Sequence, residues 1–346
     1  MTRRHSVAVI PGDGIGPEVT EGALLVLSAA AEAEGSELET TTCDLGAERY
    51  LRSGEVLPDD DLEQLASQEA ILLGAVGDPR VPPGVLEKGL LLRVRQELDL
   101  YVNLRPARLM EGVRSALADV TPDDLDVLIV RENTEGLYRS EGTVRDEGTE
   151  NERALETSLN TAAAVSRIVS YAFDAASQRG QSLTLVHKTN VLERAGGLYR
   201  RTFDRFAAQF PEVPTSYQHV DAAALLLVMN PRRFSVIVTD NLFGDILSDL
   251  VAGLVGGIGF VGSANLHPGK TSMFEPVHGS APDIAGTGRA NPVGAILSAA
   301  LMLRHLGEEG AAERVEAAVA TVAGSIEREE LSTRRASELI AEVAGS

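Results

Sequence analysis

Two carboxylates, Asp245 and Asp249, stand four residues apart just after the apolar segment Val236–Thr239. If the segment is a strand that leads into a helix, both side chains lie on one helix face. Carboxylate oxygens without a neighbouring Cys or His suit Mg²⁺ or Mn²⁺ rather than zinc. The alternative is a solvated helix face, but the flanking apolar residues favour a metal site because carboxylates beside a buried stripe need a partner.

Three arginines stand at the ends of predicted elements: Arg95 in a helix, Arg105 before Pro106, and Arg131 after an apolar strand. A guanidinium binds a carboxylate with two hydrogen bonds, so three together would suit a substrate with two carboxylates. Single arginines more often form surface ion pairs. Only their convergence would make a site.

Two further predicted strands end in polar residues, the first in His187 and Lys188 and the second in His219 and Asp221. A lysine beside a metal could act as a general base, although most lysines are simply solvated. Asp221 could supply a third metal oxygen or cap a helix.

Two glycine-containing segments could approach an anion. Gly12, Gly14 and Gly16 alternate between a strand and a helix, but their spacing is not that of a Rossmann turn, and alone they favour a tight structural turn. The segment His278–Ala281, followed by Asp283, could hold an adenosine and its phosphates through backbone amides and a stacking imidazole.

These residues would be positioned by a fold in which strands and helices alternate along the chain. The pattern predicts strands at Ser6–Ile10, Glu39–Cys43, Ala70–Leu73, Tyr101–Arg105, Asp126–Arg131, Ser182–His187, Thr215–Val220 and Val236–Thr239. It predicts helices that begin near Glu18, Asp61, Ala154, Asn190, Asp221, Asp245, Pro292, Ala311 and Ser332. Alternation of this kind indicates an α/β protein with much parallel sheet.

Composition excludes several classes of protein. The chain has 346 residues and a formal net charge of −20, which argues against nucleic acid and anionic membrane partners. Its one cysteine excludes an internal disulfide framework and favours a reducing cytoplasm. The apolar run before Pro11 is too short for a signal peptide, and glycines interrupt the apolar segment 250–264, so we expect neither export nor a membrane span.

Five blocks of the sequence, in this order, resemble the metal-dependent β-decarboxylating dehydrogenases, the family of isopropylmalate and isocitrate dehydrogenases. The blocks are Gly12-Asp-Gly-Ile-Gly-Pro-Glu18, Asn103-Leu-Arg-Pro106, Glu132-Asn-Thr-Glu-Gly-Leu-Tyr138, Asp240-Asn-Leu-Phe-Gly-Asp-Ile-Leu-Ser-Asp249 and Phe274-Glu-Pro-Val-His-Gly-Ser-Ala-Pro-Asp283. The resemblance covers nearly the whole chain, and the fourth block is the most specific.

The resemblance implies an α/β fold of two domains, with mixed, mostly parallel sheets flanked by helices, that is not a Rossmann fold. Residues 1–100 and 255–346 are expected to form a large domain with most of the cofactor site. Residues 101–254 are expected to form a central domain with the substrate and metal residues. The central domain is also expected to make a homodimer in which each active site borrows Lys188 and Asp221 from the partner chain.

The resemblance also implies roles for individual residues. The metal Mg²⁺ or Mn²⁺ would be bound by Asp221, Asp245 and Asp249, with Asp221 also near the substrate. The substrate carboxylates would be bound by Arg95, Arg105 and Arg131. The base that takes the hydroxyl proton would be Lys188, and the acid that protonates the enol would be Tyr138. The cofactor would be bound by Glu275, His278, Gly279, Ser280, Ala281, Asp283 and Asn291.

Within this resemblance, a few side chains predict which cofactor and which substrate the protein uses. Asp283 would accept hydrogen bonds from a ribose and repel a 2′-phosphate, which predicts NAD. Leu91, Leu92 and Val191 would favour an isopropyl group. The expected reaction is therefore the oxidative decarboxylation of (2R,3S)-3-isopropylmalate to 4-methyl-2-oxopentanoate, CO₂ and NADH, in leucine biosynthesis.

Three alternatives stay open. Tyr101–Pro106 and Arg131–Tyr138 also resemble the tartrate and D-malate branch of the family. A homoisocitrate enzyme would place an extra arginine in the pocket, but Arg93 should point to solvent because it lies about 200° from Arg95 on a helix. A catalytically silent scaffold predicts loss of a metal aspartate, Lys188 or Tyr138, and all are present.

Overall fold

The computed structural model describes residues 3–346. Met1 and Thr2, the first residues of the segment judged too short for a signal peptide, lie outside the described residues. The chain divides into two compact units. Unit 1 comprises the residues up to Leu100, Leu104–Asp126 and Val251–Ser346, and unit 2 comprises Tyr101–Asn103 and Val127–Leu250. Residues 104–126 thus group with unit 1, whereas the sequence assigns them to the central segment. Their contacts explain this, since Ser115 donates to the carbonyl of Leu254 and Gly112 lies against Gly324.

The described residues form twelve strands and eleven α-helices. The strands are β1 Arg3–Gly12, β2 Ser36–Thr42, β3 Ala70–Ala75, β4 Val102–Arg108, β5 Asp126–Glu132, β6 Gly136–Arg145, β7 Arg153–Leu159, β8 Leu183–His187, β9 Thr215–His219, β10 Val236–Thr239, β11 Gly262–Leu266 and β12 Ser272–Pro276. The helices are α1 Gly16–Ala33, α2 Ala47–Ser53, α3 Asp59–Ala66, α4 Arg93–Glu97, α5 Ala162–Arg179, α6 Glu193–Ala207, α7 Val220–Met229, α8 Asn241–Leu254, α9 Val293–His305, α10 Glu309–Arg328 and α11 Thr333–Ala344. The predicted alternation of strands and helices is confirmed.

The sheet of unit 1 has the strand order β2-β1-β3-β12-β11-β4. Strand β1 pairs in parallel with β2 and β3, β3 pairs in parallel with β12, and β12 pairs antiparallel with β11. Every residue of β3 is buried, as expected for a central strand with both faces covered. Helices α1 and α9 bury apolar faces against this sheet, and α9 is the apolar helix expected near Pro292.

The sheet of unit 2 has the order β5-β10-β8-β9, and all its pairs are parallel. Parallel strands bring their carboxyl ends to one edge of the sheet. Arg131, His187 and Thr239 lie at the ends of β5, β8 and β10, so the polar residues that follow them share that edge. The predicted α/β fold, with mostly parallel sheets flanked by helices, is confirmed.

Strands β6 and β7 pair antiparallel as a separate hairpin. Every residue of β7 is exposed. The helix predicted to begin at Ala154 is therefore wrong, because Ala154 lies in β7 and the helix begins at Ala162, where the Thr161 hydroxyl accepts from the Ala164 amide. A strand that is solvated on both faces carries no alternation of apolar residues that a pattern could detect.

The helix that precedes Arg95 is not regular. Residues Glu87–Leu92 form a π-helical turn, which runs directly into α4. Such turns are rare and often occur at functional sites. Within residues 3–346, none of the helices has the length and apolar character that a membrane crossing requires.

Candidate active site

The centre of the candidate site in unit 2 is Asp245, in the second turn of α8. One of its oxygens accepts from the Arg131 guanidinium, and the other accepts from the Tyr138 hydroxyl at 2.7 Å. Asn241 accepts from the Nε and Nη2 of Arg131, at 3.0 and 2.7 Å. The guanidinium carbon also lies 4.9 Å from the centre of the Tyr138 ring. Three of the predicted site residues are therefore in direct contact.

Packing fixes this arrangement. The Arg131 side chain is 1% exposed, so it is held rather than solvated. A Cβ at Gly244 would lie 2.6 to 3.0 Å from three carbons of Arg131, and only glycine lets α8 approach so closely. Burial, followed by the hydrogen bond to Asp245, raises the pKa of Tyr138, so its hydroxyl stays protonated and can donate a proton.

Asp249 lies one helical turn beyond Asp245 and is exposed. The two carboxylates share a face of α8, as the spacing predicts. They offer hard oxygen ligands of the type that suits Mg²⁺ or Mn²⁺. Across residues 3–346 of one chain, however, there is no group of three His, Cys, Asp or Glu residues that could hold a metal. One chain therefore does not gather Asp221, Asp245 and Asp249 around a single point.

Lys188 and Asp221 contact each other. The Lys188 ammonium donates to Asp221 Oδ1, and the Asp221 side chain is 68% exposed. The hydrogen bond from Lys188 is the main cause that lowers the pKa of Asp221. The N-cap of α7 is His219, with Asp221 in the first helical turn, so the alternative role of Asp221 as the N-cap is wrong. In a single chain Asp221 therefore faces solvent, whereas the Lys188 side chain is half-buried.

In unit 1 the predicted substrate residue Arg95 and the predicted cofactor residue Glu275 are paired. Arg95 Nη2 donates to Glu275 at 2.7 Å, and the amide of Asn265 donates to the same oxygen at 2.8 Å. All three side chains are buried. Arg105 is also buried, at the middle of β4. Arg95 thus has a carboxylate partner within the protein, on strand β12.

The predicted apolar residues differ in their surroundings. Leu91 is partly buried and packs against a core cluster of buried apolar residues in unit 1 that includes Leu90, Val94 and Met273. Leu92 is half-buried and is not part of this core cluster. Val191 is exposed. Arg93, expected to point to solvent, is 32% exposed and donates to the carbonyl of Leu57 and to Asp59.

The glycine turn after β1 is a connected structure. Asp13 accepts from the amides of Ala47 and Gly77, at 2.8 and 2.9 Å, and the amide of Ile15 donates to the carbonyl of Ser280 at 2.8 Å. Gly14 has φ +58°, and a Cβ there would collide with the Ser280 backbone. The two glycine-containing segments are therefore neighbours, which the sequence could not show.

The segment after β12 carries features of a binding loop. Ala281 has φ +39°, a strained value for a residue with a side chain. His278 is buried and its Nε2 has no hydrogen-bond partner, and burial lowers its pKa, so the imidazole is neutral. A neutral, buried ring nitrogen at a strained turn fits contact with a bound group.

The remaining predicted cofactor residues lie around this segment. Gly279 has open space where a Cβ would stand, and Asp283 is exposed. Asn291 accepts from the amide of Val293 and so stabilises the start of α9. Its side chain also packs against Gly259.

Sequence reasoning missed three polar residues of these sites. Asp13 holds the glycine turn, and its position between two glycines is a signal for a side chain that bonds to the backbone. Asn241 orients Arg131 and lies within the most specific sequence block. Asp240, at the start of α8, faces His187, and no local pattern indicates this pair.

Comparisons with known proteins give matches over nearly the whole chain. A family model described as isocitrate/isopropylmalate dehydrogenase matches residues 6–339. The 3-isopropylmalate dehydrogenase of Corynebacterium kroppenstedtii is 56% identical over 340 residues, which cover 96% of this chain and 99% of the relative. That of Nocardia farcinica is 56% identical, with 91% and 92% covered. A solved isocitrate dehydrogenase from Methylococcus capsulatus superposes with a TM-score of 0.88 at 37% identity, with 99% and 100% covered.

Proposed function

The chain belongs to the isocitrate/isopropylmalate dehydrogenase family and is an oxidoreductase, and from this we propose that it oxidises and decarboxylates 3-isopropylmalate with NAD in leucine biosynthesis. The observation that carries the proposal is the contact of Asp245 with both Arg131 and Tyr138. These three side chains bring a metal-ligating carboxylate, a carboxylate-binding cation and a proton donor to one point.

The choice of substrate rests on the relatives and on the side chains. Relatives that carry the name 3-isopropylmalate dehydrogenase are 56% identical, whereas the solved isocitrate dehydrogenase is 37% identical. Leu91 and Leu92 precede the buried Arg95 and would cover an isopropyl group, each methyl contributing about 1 kcal/mol. Arg93, bound to Leu57 and Asp59, does not supply the extra cation that a third substrate carboxylate would need.

The proton transfers are assigned to two side chains. Lys188 takes the proton of the substrate hydroxyl as hydride leaves the carbon that bears this hydroxyl, and NAD would be the oxidant that accepts the hydride. Tyr138 then donates its hydroxyl proton to the carbon that CO₂ has left, and its raised pKa keeps that proton available. Arg95, Arg105 and Arg131 bind the two substrate carboxylates and hold the carbon chain in place.

A divalent cation, Mg²⁺ or Mn²⁺, would be held by Asp245, Asp249 and Asp221, and when bound it would supply Lewis acidity for the oxidation and for the loss of CO₂. The oxygen donors fit such an ion. Since one chain brings only the two carboxylates of α8 to a common face, we assign Asp221 of a second chain as the third ligand.

NAD is assigned to the segment from Glu275 to Asp283 together with the glycine turn around Gly14. The neutral His278 ring can stack on an adenine, and the exposed Asp283 can accept from ribose hydroxyls. Gly279 leaves room for a phosphate to approach the backbone. Asn291 is assigned here as well, through its place at the start of α9.

We also propose that the enzyme is a homodimer with shared active sites. Several large apolar residues of unit 2 are exposed in a single chain: Leu225, Val228 and Met229 on α7, the last at 72%, and Ile246 on α8. Exposed apolar side chains on one face of a helix, as on α7, indicate a protein interface. Asp221, in the first turn of α7, is 68% exposed and is paired with Lys188, as expected of residues that serve a partner chain. The single cysteine supports the cytoplasm as the location.

The test is reduction of NAD by the purified protein with Mg²⁺ or Mn²⁺, measured for isopropylmalate, isocitrate, homoisocitrate, D-malate and tartrate. We expect isopropylmalate to give the highest kcat/KM, and no activity after chelation of the metal. A higher kcat/KM with D-malate or tartrate would assign the chain to the other branch. The absence of turnover with all five would support the silent scaffold.

A further inference from the structure

His187 is a fully buried imidazole that the proposed mechanism does not use. It ends β8, directly before Lys188, and is 0% exposed. The rings of Tyr199 and Phe243 pack on it, with centroids at 4.9 and 5.5 Å. Its Nδ1 accepts the main-chain N–H of Lys188 at 2.9 Å. Since Nδ1 accepts, the ring proton of the neutral imidazole is on Nε2.

The other side of the ring faces the start of α8. Nε2 lies 3.5 Å from Asp240 Oδ2, which is longer than a normal hydrogen bond, so the contact is mainly electrostatic. The second oxygen of Asp240 accepts from the amide of Phe243 at 2.8 Å, as at a helix N-cap. Burial lowers the pKa of His187 to about 4 and raises that of Asp240 to about 6. Near neutral pH, a neutral imidazole therefore faces an ionised carboxylate.

The main chain on both sides of Lys188 is fixed as well. The Tyr217 hydroxyl accepts from the amide of Thr189 and donates to the carbonyl of His187, both at 3.2 Å. A Cβ at Gly196 would lie 2.8 Å from Thr189 Cα and 3.0 Å from His187 Nδ1, so α6 presses against this turn. From this turn the Lys188 side chain extends toward Asp221.

We propose that His187 is a positioning residue for Lys188, because its Nδ1 fixes the Lys188 amide while its Nε2–H is held against the carboxylate at the start of α8. The inference rests on the proposed function, in which Lys188 is the base. The imidazole thus ties the main chain of Lys188, at the end of β8, to the start of α8 in the same chain, and so fixes the point from which the lysine side chain extends. A residue that only filled space would be replaceable by any side chain of similar size.

The test compares two substitutions of similar shape in the full-length protein. Asn at position 187 can place its Oδ1 where Nδ1 now accepts from Lys188, whereas Leu cannot accept. We expect His187→Leu to lower kcat on the order of 10-fold to 100-fold, with the KM for NAD and for isopropylmalate within about two-fold, because displacement of a catalytic group costs rate. We expect His187→Asn to restore most of kcat.

A third variant covers the case in which His187→Leu does not fold. His187→Gln carries its polar end near the Nε2 position and does not replace the Nδ1 acceptor, so it should lose kcat like Leu while thermal unfolding reports its stability. Equal kcat for the Asn and Gln variants would overturn the inference, as would a kcat of His187→Leu near that of the wild type.

Two measurements keep this result apart from the proposed function. If the wild-type protein does not oxidise isopropylmalate, or if Lys188→Met keeps near-normal kcat, the proposed function or its base assignment fails, and the inference fails with it. If Lys188→Met is inactive while the Leu, Asn and Gln variants at position 187 all match the wild type, only the positioning role fails.

Discussion

The hydroxyl of Tyr138 donates to Asp245 at 2.7 Å, and the other oxygen of that carboxylate accepts from Arg131. One carboxylate thus orients the proposed proton donor and a proposed substrate-binding cation. Because α8 positions Asp245 and Gly244 lets the helix approach Arg131, the geometry is set by the scaffold rather than by the substrate.

Removal of the proton donor should slow turnover without loss of the fold. We expect Tyr138→Phe to lower kcat about 100-fold, the usual contribution of a positioned acid, with little change in the KM for NAD. Steady-state kinetics and thermal unfolding check this. A kcat within a factor of about three of the wild type would contradict the assignment of Tyr138.

Shared active sites predict that two inactive variants restore each other. Lys188→Met and Asp245→Asn should each abolish turnover while the protein still folds. In a mixed dimer, one site would take the intact Lys188 from one chain and the intact Asp245 from the other.

Random assortment of the two chains should then give about a quarter of the wild-type activity, since half of the dimers are mixed and each has one intact site. Coexpression with two different affinity tags, followed by purification through both, isolates the mixed dimer, which should have about half of the wild-type activity. Activity no higher than that of either parent would mean that each chain builds its own site.

Truncation of either leucine of the π-helical turn should weaken the use of isopropylmalate, but only truncation of Leu91 should also lower the stability of the fold. We expect Leu91→Ala and Leu92→Ala each to lower kcat/KM for isopropylmalate about tenfold, and to change that for D-malate much less, because the lost contacts are to the isopropyl group. Leu91→Ala should also lower the thermal midpoint, since Leu91 packs against the core cluster. Equal loss for both substrates would contradict the pocket assignment.

Gly14 should be needed for NAD binding, and Gly35 provides a matched control. Both glycines have positive φ, +58° and +70°, but a Cβ at Gly14 would strike Ser280 while one at Gly35 meets nothing within 4 Å. Alanine therefore strains the backbone at both positions and displaces the binding segment only at the first. We expect Gly14→Ala to raise the KM for NAD at least tenfold more than Gly35→Ala does. Similar KM values for the two variants would exclude this role.

The buried pair of His187 and Asp240 predicts a pH dependence of stability with two opposing parts. Burial raises the pKa of Asp240 from 3.8 to about 6, so the folded state binds a proton that the unfolded state has lost, and stability falls as the pH rises through this range. Burial lowers the pKa of His187 from 6.5 to about 4, so the unfolded state binds the extra proton, and stability rises between pH 4 and 6.5.

Asp240→Asn keeps a side-chain cap for α8 and removes the contribution of the Asp240 carboxyl to the pH dependence of stability. The free energy of unfolding should then rise more steeply between pH 4 and 6.5 than in the wild type, by on the order of 3 kcal/mol over the range. Urea unfolding at a series of pH values measures it. Parallel curves for the two proteins would show that the Asp240 carboxyl does not titrate in this way.

Local patterns predicted the features that depend on neighbouring residues. The strand that delivers Arg131, the helix that carries Asp245 and Asp249 on one face, and the turn around Gly14 all follow from apolar spacing and glycine positions. The family resemblance assigned their roles, because five blocks with fixed order carry more information than any one of them.

Contacts between distant segments could not be predicted from periodicity. Glu275 lies 180 residues from Arg95, and Ser280 contacts Ile15. The sequence marks each residue as polar or glycine but does not state its partner. The hairpin of β6 and β7 was missed for another reason, since its exposed residues lack any hydrophobic period.

The position of β12 between β3 and β11 has a consequence for biosynthesis. During translation, the four parallel strands of unit 2, the last of which ends at Thr239, are synthesised before Ser272–Pro276. Strand β3, apolar and fully buried in the finished protein, can pair with β1 at once, but its second neighbour, β12, follows only about 200 residues later. The nascent amino-terminal segment therefore has an unpaired, apolar strand edge that can bind other chains. The rate of synthesis of the carboxyl-terminal third sets how long this edge needs protection by chaperones.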